Sequence, residues 1–278
     1  MNTSALPRRD FLAAALLAPV GLGAASSNRR IRIAVKYNMV REALNTEDKF
    51  RLLRDLGFDG VEVYSRDRDE LPAYVKASGR SGLPVHGVVN SSDPDITAAV
   101  QMATELQADS VLVLAKEDSQ SSYAQNFSQW QALVRKALPT AEKLGIRLCI
   151  ENVRATFLKR AEQMVDFIDA FDSPYVRSYY DTGNTITWTD QSAEHWARTL
   201  GHRIFKVDVK DRGHVEFGDA KLASKHARGT DGGEVNWRAV RAELRTVNYH
   251  GWATAEVAGG DRARLARMAV WMDKVLGN

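Results

Sequence analysis

The sequence predicts a single (β/α)8 barrel, and three observations carry that prediction. Eight short β-rich runs alternate with longer amphipathic stretches, glycine stops recur between a helix and the next strand, and no glycine-rich phosphate turn follows the first strand. The β-rich runs are 31–39, 60–65, 85–90, 110–115, 147–153, 176–184, 204–211 and 252–257. Helical stretches lie between them, among them 47–56, 96–106, 130–144, 161–171 and 237–247, each with apolar residues recurring at three and four. Leu56-Gly57-Phe58 and Leu144-Gly145-Ile146 place glycine where a left-handed helix end is wanted, directly before a strand. A repeated helix, glycine, strand order means parallel strands. An open doubly wound sheet would carry a phosphate-binding turn after its first strand, and here that strand runs into Lys36-Tyr37-Asn38-Met39. The closing stretch, with Leu265, Met268, Ala269, Met272, Val275 and Leu276 on one face, is ordinary core periodicity.

A chain of 278 residues with 44% hydrophobic side chains can bury a full barrel core, and no shift in composition divides 31–278 into two domains. The formal net charge is +3, and losing Arg8, Arg9 and Asp10 with the first 25 residues lowers it by one. That balance argues against a nucleic-acid partner. Cys149 is the only cysteine, so no intrachain disulfide can form and a cysteine-rich zinc site is excluded. Its neighbours Leu148 and Ile150 make it a buried strand thiol.

The N-terminus reads as an address. Pro7-Arg8-Arg9-Asp10-Phe11-Leu12 precedes an apolar run to Gly23 and the small residues Ala24, Ala25 and Ser26, so 1–25 is expected to be a signal peptide. The paired arginines resemble a twin-arginine signal, which implies a periplasmic or otherwise exported protein that crosses already folded. The apolar run is about 12 residues, against roughly 20 for a spanning helix, so no stable membrane insertion is expected after processing.

The candidate chemistry sits at the strand ends, because barrels of this kind act at the C-terminal mouth. Four of those ends carry acids: Glu151, Asp181, Asp208 and Glu256. In 204–211, Phe205, Val207 and Val209 share one face and Lys206, Asp208 and Lys210 the other, so alternation turns the polar set into the lumen. By the same parity Trp252, Thr254 and Glu256 share a face, as do Arg177, Tyr179 and Asp181. Four carboxylates converging in a low-dielectric mouth repel one another unless a cation or protons neutralise them. One divalent ion does so economically, and oxygen ligands favour Mg2+ or Mn2+, with Co2+ or Zn2+ open if a histidine joins. The alternative is that each acid pairs with a base such as Lys206, Lys210, Arg154 or Arg212.

Lys36 and Asn38, Glu62 and Tyr64, and His86 and Asn90 share strand faces and are candidates to grip a polar ligand. Residues 212–233 form a long loop carrying His214, His226 and Arg228, and a loop of that length is a candidate lid. Trp188 is a candidate stacking surface, Trp237 a packing residue, and His195, His202 and His250 structural.

Five motifs carry a family resemblance: Gly57-Phe58-Asp59-Gly60-Val61-Glu62, Ile150-Glu151-Asn152, Tyr180-Asp181-Thr182-Gly183-Asn184, Val207-Asp208-Val209-Lys210-Asp211 and Ala255-Glu256-Val257. In this order they resemble the xylose isomerase-like TIM-barrel family of sugar isomerases, epimerases and related lyases. The resemblance implies that Glu151, Asp181 and Glu256 ligate the metal and that the two glutamates form the proton-transfer pair. The candidate substrate-binding residues are Lys36, Glu62, His86, Asn152, Asn184, Lys210 and His214. Two departures stand out. Asp208 occupies the place of a family histidine ligand, and Thr230-Asp231-Gly232-Gly233-Glu234 replaces a common Gly-Glu-Gly run. The implied activity is isomerisation or epimerisation of a sugar or keto-sugar. Elimination from a 3-keto-glycoside or keto-inositol, or sugar binding without catalysis, are the alternatives. The many-histidine DNA-repair branch does not fit six histidines, three of them away from strand ends. A homo-oligomer is left open.

Overall fold

The computed structural model describes residue 1, residues 30–212 and residues 233–277. The expected leader beyond Met1 lies outside the described residues, as do His214, His226 and Arg228.

Eight parallel strands close into a barrel in sequence order, β8 pairing with β1. They are β1 (Arg32–Lys36), β2 (Gly60–Tyr64), β3 (Val85–Ser91), β4 (Ser110–Val113), β5 (Arg147–Glu151), β6 (Val176–Asp181), β7 (Ile204–Val209) and β8 (Trp252–Ala255). The helices outside are α1 (Thr46–Asp55), α2 (Leu71–Ser81), α3 (Ile96–Glu105), α4 (Tyr123–Leu144), α5 (Ala161–Asp169), α6 (Thr182–Trp188), α7 (Ala193–Leu200), α8 (Trp237–Thr246) and α9 (Arg262–Leu276). The two glycine stops adopt the left-handed conformation expected of them, Gly57 at φ +91° and Gly145 at φ +74°.

Several boundaries differ from the sequence expectation for local reasons. The first run stops at Lys36, because Tyr37–Met39 turns into a short 3-10 helix. The sixth stops at Asp181, whose side chain accepts the Asn184 N–H at 2.8 Å and so caps α6. The helix expected over 130–144 begins at Tyr123, where Ser122 and Gln125 form a reciprocal capping box.

The main core lies between strands and helices, and a second, small cluster of Val89, Leu112, Cys149 and Tyr179 plugs the barrel lumen. Cys149 is buried in this plug, and burial pushes its thiol far above the usual range. Phe205, expected toward the helices with Val207 and Val209, packs against the plug instead. A register shift of β6 against β7 between Ser178 and Tyr179 breaks strict alternation there.

A buried polar network passes along the plug. Lys206 meets Asp109 at 2.5 Å and donates to His86 Nδ1 at 3.1 Å. His86, stacked on Trp252 with ring centres 4.5 Å apart, contacts Thr254 through Nε2 at 3.1 Å. Thr254 meets the Tyr179 hydroxyl at 3.0 Å, and Tyr179 reaches both Glu62 oxygens at 3.2 Å. Every side chain from Lys206 to Glu62 is buried, so each polar atom needs a partner, and these supply one another.

Candidate active site

Glu151 and Asp181 end β5 and β6, Asp208 lies in β7, and Glu256 follows β8, its N–H donating to Val209 O at 3.3 Å. One oxygen from each of the four lies within 4.8 Å of the others. Adjacent pairing sets this up, because Asp181 and Asp208 are register partners and Asp208 pairs with Thr254, two residues before Glu256. Glu151, Asp181 and Asp208 are buried, and the Glu256 side chain keeps 28% of its surface exposed.

Two asparagines fix the β5 and β6 ends. Asn152 exchanges a pair of 2.8 Å hydrogen bonds with the Asp181 backbone, through Nδ2 to Asp181 O and from Asp181 N to Oδ1. Asn184 Nδ2 donates to Asp181 Oδ2 at 2.8 Å, to Asn152 O at 3.0 Å and to Glu151 Oε1 at 3.3 Å. The expected site residues Glu151, Asn152, Asp181 and Asn184 are therefore one hydrogen-bonded unit.

Two lysines supply the positive charge. Lys210 Nζ lies 2.7 Å from both Asp181 Oδ2 and Glu256 Oε2. Lys36 Nζ lies 3.0 Å from Glu62, 3.1 Å from Asp208 Oδ2 and 3.5 Å from Glu256 Oε1, above the Tyr179 ring. Burial alone would strip both ammoniums, yet Asp208, Glu256 and Glu62 around Lys36, and Asp181, Glu256 and Glu151 around Lys210, hold them charged. Five carboxylates thus surround two ammoniums, an excess of three negative charges if all are ionised.

That excess splits the glutamates. Burial, reinforced by the Glu256 charge, raises Glu151 to about 8. Burial also acts on Glu256, but Lys210 and Lys36 outweigh it and hold that carboxyl at about 2. Asp181 is raised to about 6 by burial, with Lys210 opposing, and Asp208 is raised well above its ordinary value by burial, with Lys36 opposing. Near neutral pH one glutamate thus favours its protonated form while its neighbour is ionised.

The donor set suits a hard divalent cation: four carboxylates, and a buried Asp208 Oδ1 that finds no hydrogen-bond donor among the described residues. Such an orphaned oxygen needs a cation or a proton.

Other expected residues fall elsewhere. Glu62 is fully buried beneath Lys36, and the close approach of its carboxylate requires Gly87, where a Cβ would lie 2.7 Å from Glu62 Oε1. His86 is buried beside the plug with both ring nitrogens engaged. Lys206 serves Asp109, and Arg212 lies 3.7 Å from Glu234. Trp188 stands at the rim, 40% exposed, beneath the Arg154 guanidinium at 4.8 Å. Trp237 is buried against Trp271 and donates to Asp211 at 2.9 Å. Sequence reasoning did not pair Lys36 with Asp208; the available signal was the inward parity of Lys36, which names a face but no partner.

A profile described as xylose isomerase-like TIM barrel matches residues 50–275. No curated protein matches the sequence. Among solved structures, 3-keto-D-glucoside 4-epimerase from E. coli aligns with TM-score 0.71 at 16% identity, over 88% of this chain and 99% of that one. D-allulose 3-epimerase from Methylomonas sp., in complex with D-allulose, aligns with TM-score 0.70 at 15% identity, over 88% and 97%. The IOLI protein with a bound zinc atom aligns with TM-score 0.72 at 11% identity, over 89% and 98%. At these identities the likeness is one of fold.

Proposed function

The chain belongs to the xylose isomerase-like TIM-barrel family, and from that premise we propose that it is a metal-dependent isomerase or epimerase of a sugar or keto-sugar. The observation that carries the proposal is the convergence of Glu151, Asp181, Asp208 and Glu256 within 4.8 Å at one mouth. The sugar-binding and sugar-epimerising neighbours support the substrate class.

Glu151, Asp181, Asp208 and Glu256 would hold the ion, Mn2+ or Mg2+ by ligand hardness, with Co2+ or Zn2+ the alternatives. When bound, it supplies Lewis-acid polarisation of carbonyl and hydroxyl oxygens. The chain's own groups move the proton. Glu256, held ionised between two lysines, removes a proton from the carbon beside the carbonyl, leaving an enediolate. Glu151, the stronger proton holder, returns one, and Asn184 keeps its carboxyl aimed inward. Lys210, on the exposed side of the cluster, is the donor for an enediolate oxygen. Lys36 is a positioning residue that fixes Asp208 and Glu256. The proposed leader implies unphosphorylated substrates outside the cytoplasm.

The test is Mn2+ titration followed by incubation in D2O with free sugars, 3-keto-glycosides and keto-inositols. Deuterium beside the carbonyl supports proton transfer, and loss of water or an aglycone marks a lyase instead. One observation favours a non-catalytic, metal-free sugar-binding barrel. Lys210 already satisfies two of the four carboxylates, and a protein that binds sugar but no metal would establish that reading.

A further inference from the structure

Resting on the metal-dependent reading above, we propose that Lys210 is a displaceable counter-ion: its ammonium holds the carboxylate cluster together until a divalent cation takes its place, and the freed ammonium then turns to the substrate. Lys210 Nζ lies 2.7 Å from Asp181 Oδ2 and 2.7 Å from Glu256 Oε2, and both residues belong to the cluster whose oxygens converge within 4.8 Å. An ion held by these carboxylates and an ammonium bridging two of them compete for the same acidic groups.

The two lysines of the site are not equivalent in this competition. The Lys36 side chain is 0% exposed, enclosed by Glu62, Asp208, Glu256 and the Tyr179 ring, and has nowhere to go. The Lys210 side chain is 25% exposed and so borders the open mouth. Its backbone is pinned, because Thr182 Oγ1 accepts from Lys210 N at 3.3 Å and donates to Lys210 O at 2.9 Å. Gly183 packs so closely that a Cβ there would overlap the Lys210 side chain and lie 3.1 Å from its carbonyl. Displacement therefore falls to the flexible four-carbon stem, which can swing the ammonium outward by rotamer change while the strand end stays fixed.

Charge favours the exchange. With Lys36 fixed, five ionised carboxylates would keep four uncompensated negative charges, and a divalent ion neutralises two where the ammonium neutralises one. The expelled ammonium stays tethered at the mouth, where it meets a substrate oxygen. Metal loading and substrate capture would then be coupled through one side chain.

The experiment uses the full chain stripped with EDTA and dialysed, with Mn2+ as the probe. Calorimetric titration of wild type and Lys210→Met is expected to give binding at least about tenfold tighter in the variant, because the internal competitor is gone. The variant is also expected to bind candidate keto-sugars more weakly. Equal or weaker Mn2+ binding in the variant, with wild type still binding, overturns the inference and leaves the metal reading standing. Binding by the variant alone shows an ammonium that the ion does not displace, and binding by neither shows no ion site; each overturns both the inference and metal dependence of the natural protein. Should Lys210→Met fail to fold, reductive methylation of wild type, read by mass spectrometry, tests the same point. Saturating Mn2+ should increase labelling of Lys210 and not of Lys36, and unchanged labelling with Mn2+ bound overturns the proposal.

Discussion

Replacing Lys36 with methionine removes the innermost positive charge of the site and leaves a side chain of similar length. The ammonium lies 3.0 Å from Glu62, 3.1 Å from Asp208 and 3.5 Å from Glu256, with no exposed surface. Breaking a buried pair by removing one partner costs about 3–5 kcal/mol, because the remaining charge is stranded. Protonation of Asp208, already favoured by burial, limits that cost to the lower end. At about 3 kcal/mol, a domain of this size should melt roughly 6–12 °C lower. The assay is thermal unfolding followed by circular dichroism in EDTA at neutral pH, with Lys143→Met on the exposed face of α4 as control. Adding Mn2+ should recover part of the loss, because a divalent ion replaces the missing charge. A Lys36→Met melt within about 2 °C of wild type in EDTA would refute the assignment of Lys36 as the counter-ion of Asp208.

Three further outcomes are expected, two from the geometry of the site and one from the leader sequence. Asp208→Asn should lower Mn2+ affinity at least about tenfold while the barrel stays folded, since Lys36 keeps Glu62 and Glu256 as partners; calorimetry that finds unchanged affinity removes Asp208 from the ligand set. Because the folded-state value of Glu151 lies near 8, above its ordinary carboxylate value, the metal-free protein should lose stability as pH rises from about 4.5 to 8. Glu151 contributes a slope of about 1.4 kcal/mol per pH unit, to which the raised Asp181 adds below about pH 6, and Mn2+ should flatten it; urea melts at pH 5, 6, 7 and 8 measure it, and a flat metal-free profile contradicts the raised value. Arg8→Lys with Arg9→Lys should hold the protein in the cytoplasm of a host with a twin-arginine pathway, as fractionation and blotting would reveal, and undiminished export contradicts the reading of the leader.

The barrel was legible because its signals are local. Glycine after a helix, alternation within a strand and acids at strand ends each depend on a few neighbouring residues, and β5 to β8 delivered Glu151, Asp181, Asp208 and Glu256 to one mouth as that pattern implies. The charge partners were not legible in the same way. Lys36 reaches Asp208 across the intervening β8, and that contact exists only once the barrel closes. Lys206 shares a strand face with Asp208, yet it points to the other part of the lumen and serves Asp109 and His86. A step of two residues along a strand moves a side chain by about 7 Å, beyond the reach of any pairing rule based on parity. Phe205 escaped because a register shift is a property of two strands together. The start of α4 at Tyr123 was readable from Ser122 and Gln125, and the expected boundary at 130 placed it seven residues too late.

The proposed activity requires Glu151 and Glu256 to exchange a proton with a sugar held at a metal-loaded mouth, and solvent exchange tests that most directly. Manganese-loaded wild type in D2O should introduce deuterium at the carbon beside the carbonyl of at least one free sugar, 3-keto-glycoside or keto-inositol, read by NMR. Glu151→Gln and Glu256→Gln should each lower that rate by about 100-fold or more. Wild type that holds Mn2+ and exchanges no proton with any of the three classes would contradict the proposed activity.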